Sequence, residues 1–325
     1  MPPRSRLERT AIAGLLAVAL LAPVCSASEL ARARARIEEY NALSKTPLPP
    51  LSDEQSEELL ARKVVKQKWN TEVTGADGEE VEDMQIRGVG YRIVDSPKLE
   101  TWLAALDPHT LFPGRVKEYR VMDGGGGSNQ LYQHMSLPWP IRDRNWVIDT
   151  WLDSDLAARS DDGIWQQAWL LSENGREIAF EVVRGGRVAG LDEDAAEKAV
   201  YLPANEGSWV VAQLDDDTTL LVYQLTIVVG GWIPESLGMK LAMRELDDTL
   251  NKVAAAAAGI RNHYLAGHGT QFAGDRSVVR RFDQTAAPVD SRPDSVGLEV
   301  SAIPESTAAT PDSFEAPETE IAPAP

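Results

Sequence analysis

LPWPIRDRNW, residues 137–146, interrupts a chain that elsewhere alternates apolar and polar side chains as β-strands do. Pro138 and Pro140 cannot donate ladder hydrogen bonds, so strand pairing has to break there or move to an edge. Three consecutive charges follow, Arg142, Asp143 and Arg144, and then NWVIDTWL (145–152) resumes the strand pattern. A break of this kind lets a sheet bend and curl. Trp139 is expected to pack at the corner. The three charges are expected to tie it through ion pairs and carboxylate-to-backbone bonds.

Strand candidates lie on both sides of the bend. Before it stand VKEYRVM (116–122) and QLYQHMSL (130–137), joined by Gly124, Gly125, Gly126 and Gly127. After it come IWQQAWLLS (164–172), REIAFEVVRGGRV (176–188), GSWVVAQLDD (207–216) and TTLLVYQLTIVV (218–229), with the acidic stretch 153–163 read as a turn. The pattern of residues 188–203, VAGLDEDAAEKAVYLP, fits no single element. Upstream, residues 29–40 and 51–63 read as helices, the second capped by Ser52 or Asp53, with the proline-rich linker SKTPLPPL between them. Residues 63–94 read as a β-hairpin or a short meander. SPKLETWLAAL (96–106) reads as a helix with Pro97 in its first turn and an apolar stripe of Leu99, Trp102, Leu103 and Leu106. Near the end Met239, Met243, Leu246, Leu250 and Val253 recur at spacings of 4, 3, 4 and 3, the face of a long helix. Order is expected to fade beyond about residue 265. From Asp283 onward nine acids stand against one arginine, amid Pro, Ala and Ser, a composition that cannot bury enough surface to order itself.

The expected fold class is therefore α+β, one curved antiparallel sheet wrapped on a long C-terminal helix. Such a sheet tends to leave a cavity between itself and the helix.

At 325 residues and 43% hydrophobic, the chain is large enough for a packed core. Its net charge of −18 argues against a nucleic-acid partner and against electrostatic docking on anionic lipid. Arg4, Arg6 and Arg9 precede a short apolar run, 11–24, and Cys25-Ser26-Ala27 supplies the small residues of a cleavage site. Residues 1–27 thus read as a secretory signal peptide. The expected location is periplasmic or secreted, with no membrane span in the mature chain. Cys25 is the only cysteine, and its neighbours Pro23 and Val24 do not suit lipidation. Its removal leaves no disulfide, thiol nucleophile or cysteine metal site.

No constellation for catalysis emerges. His109, His134, His263 and His268 are far apart, and no metal-ligand spacing appears, so neither a metal nor another cofactor is expected. The chain has no G-x-S-x-G elbow, and the glycine run 124–127 is not followed by the Lys-Ser/Thr of a phosphate loop. The paired acids at 161–162 and 215–217 lie in turns and read as solvated surface.

Three segments, in order, resemble START-type lipid-transfer domains of the Bet v 1-like helix-grip superfamily. PWPIRDRNWV (138–147) resembles that family's P-(W/F)-P stretch. GGWIPESLGMKLAMRELDDTL (230–250) is similar to its glycine-rich strand exit and W-(I/L)-P entry to the long helix. IRGVGYRIVDSPKLETWLAAL (86–106) resembles its opening strand and helix. The likeness spans residues 51–258 and departs from the pattern at 190–200. It implies a START-like domain at 51–262, preceded by an N-terminal helix and linker at 28–50 and followed by a disordered acidic tail at 263–325, for which a protein partner is conceivable. It also implies a hydrophobic ligand, lipid, fatty acyl or sterol-like, bound without catalysis. Trp165, Trp169, Tyr223, Leu225, Met239, Met243 and Leu246 are the candidates for the cavity wall. Gly124–Gly127 is the candidate entrance loop. Trp139, Arg142 and Arg144 are either an architectural corner or the place where an arginine meets a polar headgroup. Some members with this fold are aromatase/cyclases, so a cyclase-like enzyme is one alternative, and a solid-core scaffold is another.

Overall fold

A computed structural model describes residues 28–68, 85–106, 116–231, 233, 235–265 and 271–279. Residues 1–27 and 280–325, on which the expected signal peptide and most of the expected acidic tail fall, lie outside the described residues.

The alternating segments form strands. They are β1 (Val65–Gln67), β2 (Gln85–Val94), β3 (Val116–Gly125), β4 (Ser128–Met135), β5 (Arg144–Leu152), β6 (Ile164–Leu171), β7 (Val200–Tyr201), β8 (Ala204–Gln213) and β9 (Thr219–Val228). They make one sheet in the order β1-β2-β9-β8-β6-β5-β4-β3, antiparallel throughout except that the short β7 pairs in parallel with the start of β5. The helices are α1 (28–43), α2 (Asp53–Leu60), α3 (Lys98–Leu106), α4 (Ser154–Arg159), α5 (Gly175–Arg184), α6 (Glu193–Lys198), α7 (Glu235–Ala257) and α8 (Ile260–Leu265). The α+β, helix-grip expectation holds: α7 lies on the inner face of the sheet with α3 beside it.

Two glycines decide where α7 sits. Gly88 and Gly90 of β2 face inward. A Cβ on Gly90 would come within 2.2 Å of a Leu246 methyl and 2.4 Å of a Leu250 methyl, and one on Gly88 within 2.7 Å of the Met243 methyl. The helix thus rests directly on bare backbone. Leu246, Leu250 and Val253 are buried there with Trp102, Trp165, Trp209 and Leu221. Because the seat is at β2, on one side of the sheet, the space under α7 toward β4 and β5 is less filled.

The outer face is covered as well. Ala33, Ile37 and Tyr40 of α1 pack on Val89 and Tyr91 of β2, Val210 of β8 and Val222 of β9. The Tyr40 hydroxyl accepts from Gln166 Nε2 (3.2 Å) and Gln224 Nε2 (3.0 Å), and Tyr91 Oη donates to the Pro49 carbonyl (2.8 Å). Residues 28–50 therefore belong to the same packed unit as the sheet. On the other half, Ala179, Val182 and Val183 of α5 pack with Val188 on Tyr132 and Val147.

That packing corrects the reading of 176–188 as a strand. Ile178, Phe180 and Val182 alternate, but Ile178, Ala179, Val182 and Val183 also fall at helical spacing. The helix puts those four on the sheet and leaves Phe180 41% exposed, where a strand would have put it beside Ile178 and Val182. The unassigned 188–203 becomes α6 and β7. The acidic turn at 153–163 contains a short helix, capped by Asp153 Oδ1 accepting from Leu156 N at 2.8 Å.

Order does not end at residue 265. β10 (Gln271–Phe272) and β11 (Val278–Val279) form a hairpin against the core. Trp102 Nε1 donates to the Phe272 carbonyl at 2.8 Å, and Arg276 donates to the Leu152 carbonyl. Gly274 lies on the Trp165 indole, where a Cβ would meet the ring at 2.2 Å. Among the described residues no helix is long and apolar enough to cross a membrane.

Candidate ligand cavity

Burial along β9 is inverted from the ordinary pattern of a sheet. The outward residues Val222, Gln224, Thr226 and Val228 are buried, the first two beneath α1. The inward residues Tyr223, Leu225, Ile227 and Val229 are only half-buried. They face a cavity of about 380 Å3 between the sheet and α7. Its sheet wall continues through Ile86 of β2, Met135 of β4 and Trp146 of β5. Its helix wall is Leu241, Ala242 and Leu246. Leu137 and Pro138 of the bend form part of its rim, and Arg244, Glu245, Asp248 and Lys252 supply charge along the helix side.

Aromatic packing backs the inner end of this wall. Tyr223 stacks on Trp209 with centroids 4.2 Å apart, and Trp169 lies 5.7 Å from Tyr223 on the same face. Trp169 is fixed by Nε1 donating to Asn205 Oδ1 at 3.0 Å and by lying over Gly207. Burial pushes the Tyr223 phenol well above its ordinary pKa, and the Glu245 carboxylate adds to the shift, so the hydroxyl is neutral.

The bend beside the cavity explains its three charges. Arg142 reaches back to the carbonyls of Lys198 (2.6 Å) and Ala199 (3.5 Å). Asp143 Oδ1 accepts from Leu137 N (2.9 Å), and its Oδ2 meets His134 Nε2 (3.0 Å). Arg144, 3% exposed, donates to the carbonyls of Val229 (2.8 Å), Gly230 (2.9 Å) and Arg142. Gly230 and Gly231 both hold positive φ, 61° and 65°, which glycine adopts without strain. Arg144 thus clamps the glycine turn through which β9 leaves for α7.

The candidates from sequence divide accordingly. Tyr223, Leu225 and Leu246 line the cavity. Trp165 and Trp169 stand in the filled part of the core, Trp165 edge-on to Trp102 at 5.6 Å and beneath the Lys98 ammonium. Met243 lies against Gly88, and Met239 is half-buried near the start of α7; neither is in the cavity wall. Arg144 is at the wall, but its guanidinium is taken up by backbone carbonyls, so it is a corner and not a headgroup ligand. Arg142 is bound to the α6–β7 connection. Trp139 does not pack at the corner: it is 93% exposed, because the ties of Asp143 and Arg144 hold the bend without it. Gly124–Gly127 is not an entrance. Gly127 packs against Leu152 and Phe272 at the opposite end of the β3–β4 hairpin from Val116 and Met135, which line the cavity. Ile86, Met135 and Trp146 were missed, although their inward parity follows from alternation on β2, β4 and β5.

His134 is buried with Tyr132 on the outer side of β4, away from the cavity. Glu206, the carboxyl that burial pushes up, stands on the face of β8 opposite Trp209. Among the described residues no three His, Cys, Asp or Glu side chains come within metal-binding reach.

The architecture is a helix grip, one curved antiparallel sheet with an apolar cavity under its long helix. No protein-family model matches the chain, and no curated protein matches it significantly. Solved structures with a similar course exist. One is the STAR-related lipid transfer protein of Xanthomonas axonopodis (15% identity, 60% of this chain and 93% of that one, TM-score 0.42). Another is human StAR-related lipid transfer protein 5 (11%, 73% and 98%, TM-score 0.43), and a third is the Zhui aromatase/cyclase of a Streptomyces species (16%, 57% and 99%, TM-score 0.36). The strand order and the seat of α7 on β2 define this architecture, not these distant likenesses.

Proposed function

We propose that the protein binds a compact hydrophobic molecule between the inner face of the sheet and α7, without catalysis, after export from the cytoplasm. The observation that carries this is the half-buried inner face of β9 opening on about 380 Å3 of largely apolar space. That volume lies toward the lower end of the ~300–1,000 Å3 range of small-molecule sites. Each CH2 moved there from water adds about 0.8 kcal/mol, so affinity needs no charged anchor. The raised-pKa carboxyl that cyclase-like chemistry calls for would have to face the cavity, and Glu206 faces the other way. Export is read from residues 1–27.

The test is native mass spectrometry of protein purified from its own cell envelope without detergent, followed by organic extraction. A discrete added mass released as one class of apolar compound is expected. A bare protein that also takes up no apolar probe would sink the proposal and favour a scaffold.

A further inference from the structure

The cavity wall is apolar along β2, β4 and most of β9, yet its inner end carries a phenol. Tyr223 Oη makes no hydrogen bond with any described residue, and it is not among the polar atoms sealed from solvent. Its ring is held by the stack on Trp209 and the neighbouring Trp169, so the hydroxyl has a fixed position. The cost of leaving a phenol unpaired in an apolar site is relieved by a ligand that pairs with it. The charges of the helix wall, Arg244 and Lys252 beside Glu245 and Asp248, are of both signs and select neither an anion nor a cation.

We infer that Tyr223 is the specificity residue of the cavity and that the ligand is a neutral apolar molecule carrying one oxygen function, a hydroxyl or carbonyl, placed at the inner end against the Tyr223 hydroxyl. This rests on the cavity being a ligand site. It adds the ligand's chemistry and its orientation, oxygen inward and hydrocarbon toward the rim. A purely hydrocarbon ligand leaves Tyr223 unpaired, and a carboxylate would have to give up its hydration in an apolar site.

The experiment is calorimetric titration of the full chain with three probes of one shape: 2-naphthol, 2-methylnaphthalene and 2-naphthoate. The native protein should bind 2-naphthol about two- to tenfold more tightly than 2-methylnaphthalene, the worth of one net hydrogen bond. 2-Naphthoate should bind most weakly. Tyr223→Phe keeps the stacked ring; it should erase the naphthol preference and leave 2-methylnaphthalene affinity unchanged. Equal binding of naphthol and methylnaphthalene by the native protein, a preference that survives in Tyr223→Phe, or tightest binding of naphthoate overturns the inference while the cavity reading stands. If none of the three binds, the cavity reading fails and the inference with it. Where Tyr223→Phe melts early, the native titrations decide alone: equal affinity for 2-naphthol and 2-methylnaphthalene overturns the inference.

Discussion

Arg142, Asp143 and Arg144 are consecutive in sequence, and each is bound to a different part of the molecule: the α6–β7 connection, the strand before the bend, and the turn into α7. Asp143 is the sharpest case. Burial by itself would raise its carboxyl, but the Leu137 N–H and His134 outweigh that and hold its pKa below the usual carboxylate range. A depressed folded pKa contributes stability that is present above the ordinary value, about 3.9, and lost as the pH falls through the lower folded one. The stability gap between the native protein and Asp143→Asn should therefore be constant near neutrality and shrink in acid; urea titrations at a series of pH values would show a flat gap if Asp143 carries no such role. Asp143→Ala also strips a partner from His134, which is 1% exposed, so a loss of about 1–3 kcal/mol is expected. The sequence marked these charges as ties. It did not name their partners, because apart from His134 the partners are backbone carbonyls and an N–H group, which leave no trace in side-chain type.

Between elements, the decisive contact is α7 on β2. Gly90→Ala drives a methyl into Leu246 and Leu250. Overpacking of this kind costs about 1–3 kcal/mol, and lifting the helix should also widen the cavity and change probe affinity. A Gly90→Ala protein with native stability in denaturant would show that α7 can shift freely. Much at this level was legible: alternation placed β3 to β6, β8 and β9, and the 4-3-4-3 spacing placed α7. The seat of α7 was not. The glycines of IRGVGY read as ordinary strand residues, since periodicity cannot say that two absent side chains are the floor for a helix about 155 residues later. For the same reason Met239 and Met243 were taken for cavity wall: the stripe gives a helix's apolar face but not which turns of it meet filled core. The α5 segment failed because period 2 and period 3.6 coincide over its few apolar residues, and only the exposure of Phe180 separates them.

For the molecule as a whole, the β10–β11 hairpin closes the end of the grip opposite the cavity. A chain ending at Leu265 loses the bond from Trp102 to Phe272 and uncovers Trp165. Its melting temperature should fall by several degrees, at about 2–4 °C per kcal/mol for a domain of this size. Probe affinity should hold within about twofold, because the two ends do not share a wall. A large loss of affinity would mean that the hairpin bears on the ligand after all.

The outer face of the sheet is packed under α1 on one half and under α5 on the other. A wall backed in this way resists bowing, because close-packed layers compress little. The wall with one side toward solvent is α7. Where the proposed cargo is larger than the mouth of the cavity, α7 is the wall that lifts to admit it, and the strands do not bow. Binding should be slow to form and slow to decay, with both rates set by the same event. Cargo of different length but equal width should exchange on a common clock, and the amide protons of α7 should keep that time.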